Sequence, residues 1–271
     1  MDDIRLLKTA INAAEKGAGY VRSMFGALTT EDIQLKAKND YVTMVDRESE
    51  RIIIETLKSE FPAHRFLGEE SGASGGSEAY QWIIDPLDGT KNFIKGVPVF
   101  CVSVAVALEN KIIAGCVIDA VSGDIYSALS GKGAYKNDNK LGVSDQLHIE
   151  DSFFATGFPH RIKDIIPQYT KTLEILLQLS SGGRRTGAAA LDLCWLAQGT
   201  FDFFFEVGLG PWDVAAGSLI VIEAGGQVTD FNGESDYLFG QRIIASNGRF
   251  HRKLLGIIPQ YLGDITLTDK E

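Results

Sequence analysis

Between Trp82 and Phe93 the chain reads WIIDPLDGTKNF, an apolar strand that ends in two carboxylates, Asp85 and Asp88, three positions apart. Asp85, the peptide carbonyl of Leu87 and Asp88 are hard oxygen donors, a set that suits Mg²⁺ rather than zinc or copper. Pro86 biases Asp85 toward extended geometry, so Asp85 is expected at the strand tip, with Pro86, Leu87 and Asp88 in a tight turn. An aspartate at a turn ordinarily bonds nearby amides and does nothing else. Two acids beside a continuous apolar strand, however, repel each other at a cost that a cation would offset. The amides of Gly89, Thr90 and Lys91, if they open a helix, would point at a phosphate.

Further acids lie far from this pair in the chain. Glu69 and Glu70 in LGEES read in isolation as an exposed acidic turn. Asp213 in PWDVAAGSLIVIEAGG sits where a helix should begin, with Gly225 and Gly226 at its end, so N-capping accounts for it without any function. A capping aspartate can still turn its second oxygen toward a metal.

The elements that must position these residues follow from periodicity. Ile4, Leu7, Ile11, Ala14, Ala18 and Val21 recur at helical spacing, which predicts an amphipathic helix from Ile4 to about Leu28. An extended piece around Tyr41 to Met44 leads into a second helix, from its expected cap Asp46 to Phe61, with Pro62 just beyond. HRFLGEES predicts a short strand running into the acidic turn, residues 71–78 a surface loop, and QWIID a buried strand. From Val97 to about Ser144, Val, Ile and aromatics punctuated by turn residues predict an antiparallel meander.

A composition shift at residues 144–150 follows, and beyond it strand-like FFATGF, FDFFFEV and QVTDF alternate with helical IPQYTKTLEILLQLS, AALDLCWLAQG and VAAGSLIVIEAGG. Such alternation favours helices packed against a sheet. The expected fold is α/β, with an N-terminal domain over residues 1–145 built on an antiparallel sheet and a C-terminal one over 146–271 built on a second, mixed sheet.

Composition narrows the function classes. The 271 residues, 45% of them hydrophobic, can bury a substantial core. A net charge of −10, with no basic cluster longer than Arg184-Arg185, argues against direct nucleic-acid binding. An acidic protein can still take an anionic ligand where metal ions or backbone dipoles reverse the local field. Cys101, Cys116 and Cys194 lack metal-type spacing and are expected as reduced core thiols. No apolar run approaches the ~20 residues of a membrane span, and MDDIRLLK lacks the basic and apolar regions of a secretion signal. A cytoplasmic bacterial protein with no membrane partner is expected.

LGEES, WIIDPLDGTKNF and PWDVAAGSLIVIEAGG together resemble the signature blocks of the inositol monophosphatase family, within the larger group of lithium-sensitive, Mg²⁺-dependent sugar phosphatases. NDYVTMVD and RRTGAAALDLCWLAQG match in order and at similar spacing, so the resemblance covers nearly the whole chain. It implies a layered αβαβα sandwich, a homodimer, and hydrolysis of inositol monophosphate or a related small sugar or polyol phosphate with two or three Mg²⁺ ions per active site. Residue by residue, Glu69, Asp85 and the Leu87 carbonyl match the ligands of one metal. Asp85, Asp88 and Asp213 match those of a second, and Glu69 also shares a third.

Thr90 matches the hydroxyl that positions the attacking water together with Glu69, and Asp46 matches its hydrogen-bond partner. The resemblance places substrate at Asp88, Gly89, Thr90, Gly187, Ala188, Ala189, Glu206 and Asp213, and puts Lys36 near a lysine of the active-site approach. Ala188 departs from mammalian relatives, which carry threonine there; the lost hydroxyl argues against strict inositol specificity. RRTG at 184–187 is instead similar to bacterial members that accept a range of phosphomonoesters.

The implied reaction is in-line displacement by water with no covalent enzyme intermediate, the metals offsetting the charge of the phosphate dianion. Sister specificities, for histidinol phosphate, fructose 1,6-bisphosphate or a nucleotide phosphate, would share the same catalytic half. An alternative of another class is a protein that binds transcription complexes, as a bacterial relative is thought to do alongside its phosphatase activity. Arg184-Arg185 would then serve a partner or dimer surface.

Overall fold

The structure, a computed structural model, describes residues 3–27, 33–37, 40–159 and 162–263, with the backbone alone described over 33–42 within those ranges. The expected first helix is α1 (Asp3–Met24); Leu28 lies outside the described residues. An antiparallel ribbon of β1 (Ile33–Ala37) and β2 (Asp40–Thr43) leads into α2 (Met44–Glu60). Thr43, not Asp46, caps α2: Val45 N–H donates to Thr43 Oγ1 (3.0 Å), and Asp46, one turn in, accepts from Thr43 N–H (2.8 Å). This reciprocal pair is a capping box.

The first sheet comprises β3 (Arg65–Gly68), β4 (Gly72–Gly75), β5 (Tyr80–Asp88), β6 (Cys101–Leu108), β7 (Lys111–Asp119), β8 (Ile125–Leu129), β9 (Gly133–Lys136) and β10 (Asn139–Lys140), with α3 (Thr90–Lys95) between β5 and β6. Its order is β10-β9-β8-β7-β6-β5-β3-β4. The meander from β6 to β10 is antiparallel as expected. Two points differ. β3 runs parallel to β5, and residues 72–75, expected in a loop, pair with β3 as the edge strand β4.

The second half contains β11 (Phe153–Thr156), α4 (Ile166–Leu179), β12 (Gly182–Arg184), α5 (Ala189–Ala197), β13 (Phe203–Val207), α6 (Pro211–Glu223), β14 (Gln227–Thr229), β15 (Arg242–Ser246), α7 (His251–Ile257) and α8 (Pro259–Leu262). Its mixed sheet has the order β12-β11-β13-β15-β14, parallel as far as β13 and antiparallel beyond. β12, sequence GGR, has no side-chain alternation that could reveal it in advance.

Strand alternation sorts the core into layers. Along β5, Trp82 and Ile84 pack with α1 and α2, whereas Ile83 packs with α5 and α6. The same two helices also cover Ala155, Phe204 and Ala245 of the second sheet. Its outer face, with Phe154, Phe203, Phe205 and Ile244, packs against α4, α7 and α8. Helices, sheet, helices, sheet, helices make the αβαβα sandwich.

The middle layer is seated closely. A Cβ on Gly115 of β7 would come within 2.9 Å of Ala216 Cα in α6, so the absence of a side chain lets helix meet sheet. Gly115→Val is expected to lower the unfolding free energy by about 1–3 kcal/mol through overpacking, seen as a lower urea midpoint at unchanged slope.

Candidate active site

In a regular strand, residues three positions apart point to opposite faces. Asp85 and Asp88 escape that rule through a bulge. Asp85 pairs with Ser103 and Asp88 with Cys101, so β5 uses one residue more than β6 over the same interval. Both acids thereby face the middle helices. The expected tight turn at Pro86 is replaced by continuing strand, and Pro86 is tolerated because a bulge needs no ladder donor from it. Leu87 turns its side chain into the core under α1 and α2, and its carbonyl lies 3.0 Å from Thr90 Oγ1.

Asp213 arrives from the far layer. Gly210, not Asp213, is the N-cap of α6; Asp213 Oδ2 accepts the Gly210 N–H at 2.6 Å, which is only the N3-carboxylate half of a capping box because glycine has no side chain to return the bond. One oxygen each from Asp85, Asp88 and Asp213 lie within 4.8 Å of one another. Glu69, just past β3, donates its N–H to the Ile84 carbonyl at 3.2 Å and lines the same cleft.

Burial raises the Asp85 carboxyl well above the usual range, and the charges of Glu69, Asp88 and Asp213 raise it further. Burial, followed by Asp213, pushes Asp88 up to about 7. The amides of Ala190 and Ala189 oppose that shift, Ala190 N–H reaching Asp88 Oδ2 at 2.8 Å from the start of α5. Asp85 Oδ1 accepts the Leu87 N–H at 3.0 Å, while its buried Oδ2 has no hydrogen-bond partner among the described residues. An orphaned carboxylate oxygen in a cluster of hard oxygen donors fits a divalent cation such as Mg²⁺.

Thr90 opens α3. Its hydroxyl donates to Asp46 Oδ1 at 2.9 Å, with the Leu87 carbonyl as the alternative acceptor. The other Asp46 oxygen is held by Thr43 Oγ1 at 2.6 Å. Burial raises the Asp46 carboxyl, and the Thr43 and Thr90 bonds pull it back.

The remaining expected residues line the same cleft of about 100 Å³: Gly89, Gly187, Ala188, Ala189 and Glu206. Ala188 is fully buried as the N-cap of α5, with no side chain to cap it. Glu206 and Asp192 are both raised well above the ordinary range, chiefly by burial, with Arg185 opposing. Arg184 and Arg185 do not form a common surface. Arg184 stacks at 4.7 Å over Phe153, and Arg185 lines the cleft. Lys36 belongs to β1, and its side chain lies outside the described residues.

The profile of the inositol monophosphatase family matches residues 2–262. This chain belongs to the inositol monophosphatase family. It is 41% identical over 262 residues to the Nus factor SuhB of Pasteurella multocida, covering 96% of this chain and 97% of that one. The extragenic suppressor protein suhB of Bartonella henselae superposes with a TM-score of 0.89 at 38% identity, covering 94% of this chain and 98% of that one. Inositol monophosphatase from Anabaena superposes at 0.86 with 32% identity, covering 96% and 98%.

The motif resemblance and the αβαβα fold thus both hold, and inositol monophosphatase family members are Mg²⁺-dependent, in keeping with the acid cluster. In and around this family site, Glu50, Asn92, Asp192 and the cleft position of Arg185 escape sequence reasoning. Asn92 Nδ2 donates to the carbonyls of Val99 (2.8 Å) and Thr186 (2.9 Å), tying α3 to the connection before α5. For Glu50 a signal exists. Asp46, Ser49 and Glu50 share the buried face of α2 with Val45, Ile53 and Leu57, and polar residues at core-facing helical positions mark special duty.

A carboxyl with a raised folded pKa binds protons on folding. Between the ordinary 3.8 and the value of about 7 at Asp88, the metal-free folded chain therefore holds more protons than the unfolded one. The contribution of Asp88 to stability is full below that window and is lost as pH rises through it. Metal-free protein is expected to melt at a lower temperature at about pH 8 than at about pH 5.5, with Mg²⁺ raising the midpoint more at the higher pH. Differential scanning calorimetry with and without chelator measures both effects.

Proposed function

We propose that this chain is a Mg²⁺-dependent phosphomonoesterase acting on inositol monophosphate or a related small sugar or polyol phosphate. The observation that carries the reading is the buried trio Asp85, Asp88 and Asp213, whose oxygens gather within 4.8 Å beside Glu69 and the Leu87 carbonyl. These five residues would hold two or three Mg²⁺ ions, which supply charge neutralisation and Lewis acidity to the phosphate when bound. With its one hydroxyl proton directed to Asp46 or the Leu87 carbonyl, Thr90 keeps a lone pair for an attacking water, which Glu69 steadies from the same cleft. The backbone of Gly89 and Thr90 faces the phosphate. Gly187, Ala188, Ala189 and Glu206, with Asp88 and Asp213, receive the alcohol.

Direct attack by water is favoured because the one thiol beside the cluster is a poor nucleophile. Cys101 Sγ lies 3.7 Å from Asp88 Oδ2, and burial together with the adjacent acids raises its pKa well above the ordinary value, so it stays protonated. Histidinol-phosphate, fructose-1,6-bisphosphate and nucleotide phosphatase activities remain sister readings, since the metal cluster senses only phosphate. Lithium sensitivity, a homodimer and a cytoplasmic location belong to the same proposal. Among the described residues, no helix is long and apolar enough to cross a membrane.

A second reading has one specific support: the 41%-identical relative from Pasteurella multocida is named a Nus factor. Binding to transcription complexes would be compatible with phosphatase activity, because the acid cluster is intact here.

Phosphate release from a panel of inositol, sugar, histidinol and nucleotide phosphates, with and without Mg²⁺, tests the first reading. Asp88→Asn is expected to lower Mg²⁺-dependent turnover by orders of magnitude with the circular dichroism spectrum unchanged, and near-normal turnover would refute the ligand assignment. Millimolar lithium is expected to inhibit the wild type. Co-purification with RNA polymerase factors that persists in Asp88→Asn would establish the second reading.

A further inference from the structure

One face of α2 braces three segments that carry cleft residues. Asp46 accepts from Thr90 (2.9 Å), Ser49 Oγ donates to the Pro86 carbonyl in the β5 bulge (2.9 Å), and Glu50 accepts from the backbone of the LGEES turn. The Glu50 contact has no counterpart in the roles assigned above.

Glu50 is a carboxylate only 3% exposed. Its Oε2 accepts the Glu70 N–H and its Oε1 the Ser71 N–H, both at 2.9 Å. The approach is so close that a Cβ on Gly68 would stand 2.4 Å from Oε2, so a side chain at the end of β3 would displace the carboxylate. Glu69 lies between these fixed points. Its own N–H is bonded to the Ile84 carbonyl at 3.2 Å, and the next peptide N–H is bonded to Glu50. Both peptide planes flanking Glu69 are therefore set before any cation arrives.

Such preorganisation matters because Glu69 reaches the cleft from a turn, whereas Asp85 and Asp88 sit on a central strand. A turn has few other means of holding a carboxylate in a repulsive neighbourhood. Charge-assisted bonds from two amides to one ionised acceptor are among the stronger hydrogen bonds available to it.

We propose that Glu50 is a positioning residue that holds Glu69 in its cation-sharing orientation and thereby sets the affinity of the cleft for Mg²⁺. The inference rests on the Mg²⁺-dependent reading and concerns how that affinity is built. Outer partners of metal ligands typically tune affinity by about ten- to a hundredfold.

The test is titration of the full chain with Mn²⁺, followed by electron paramagnetic resonance without substrate, for wild type, Glu69→Gln, Glu50→Gln and Gly68→Ala. Glu50→Gln places an amide group against a peptide N–H, and Gly68→Ala pushes a methyl into the unaltered carboxylate. Both are expected to weaken Mn²⁺ binding by about tenfold or more, with native circular dichroism, and raised Mg²⁺ is expected to restore turnover in both.

Folded Glu50→Gln and Gly68→Ala that bind Mn²⁺ within twofold of wild type, while Glu69→Gln is weakened, would overturn the role of Glu50 and leave the metal site standing. Failure of wild type itself to bind Mn²⁺ would instead overturn the Mg²⁺ reading. If neither Glu50→Gln nor Gly68→Ala folds, Glu50 is a core residue and the proposal also fails.

Discussion

Crowding of negative charge is the constraint on which the rest of this structure depends. Two carboxylates about 4 Å apart repel by roughly 4 kcal/mol where the effective dielectric constant is near 20, and a whole domain is held by only about 5–15 kcal/mol. Asp85, Asp88 and Asp213, with oxygens gathered within 4.8 Å, would incur such terms when all are ionised, in addition to the cost of leaving water, and the upward shifts at Asp85 and Asp88 reflect both. No local turn could hold them there. The cluster sits where a central strand with both faces covered meets the start of a helix from the middle layer.

Several devices share the task of holding it. The β5 bulge turns two acids of odd spacing to one face. The first amides of α5 donate to Asp88 and return part of its lost hydration. The N-cap amides of Thr43 and Gly210 donate to Asp46 and Asp213, so each of these acids is also part of its helix end. Burial and mutual repulsion that raise the Asp85 and Asp88 carboxyls are costs that a divalent cation would relieve.

The cleft divides by chemistry. Its acid cluster comes from β5, the turn after β3 and the start of α6, and under the proposed reaction it would be indifferent to which alcohol carries the phosphate. The connection into α5 and the end of β13 supply Ala188 and Glu206, where an alcohol would be recognised. Asn92 bridges the two regions through carbonyls of Val99 and Thr186. On the proposed assignment, changes in specificity would accumulate around residues 185–189 and 206 without disturbing the acid cluster.

Much of this was legible in the chain itself. Residue types chose the chemistry: hard oxygen donors at 69, 85, 88 and 213 select a hard cation, and helical and alternating periodicity placed α1, α2, β5 and the meander. What escaped was whatever depends on register or on remote contact. Alternation alone would set Asp85 and Asp88 on opposite faces, and only pairing with β6 shows the extra residue that reunites them. Local capping preference made Asp46 and Asp213 look like N-caps, whereas Thr43 and Gly210 hold those positions. The contact behind the role proposed for Glu50 exists only because α2 lies against a turn twenty residues further along. Sequence determined which atoms could bind a cation, because donor chemistry belongs to side chains; tertiary structure decided which of them meet, because convergence across layers is a property of packing and register.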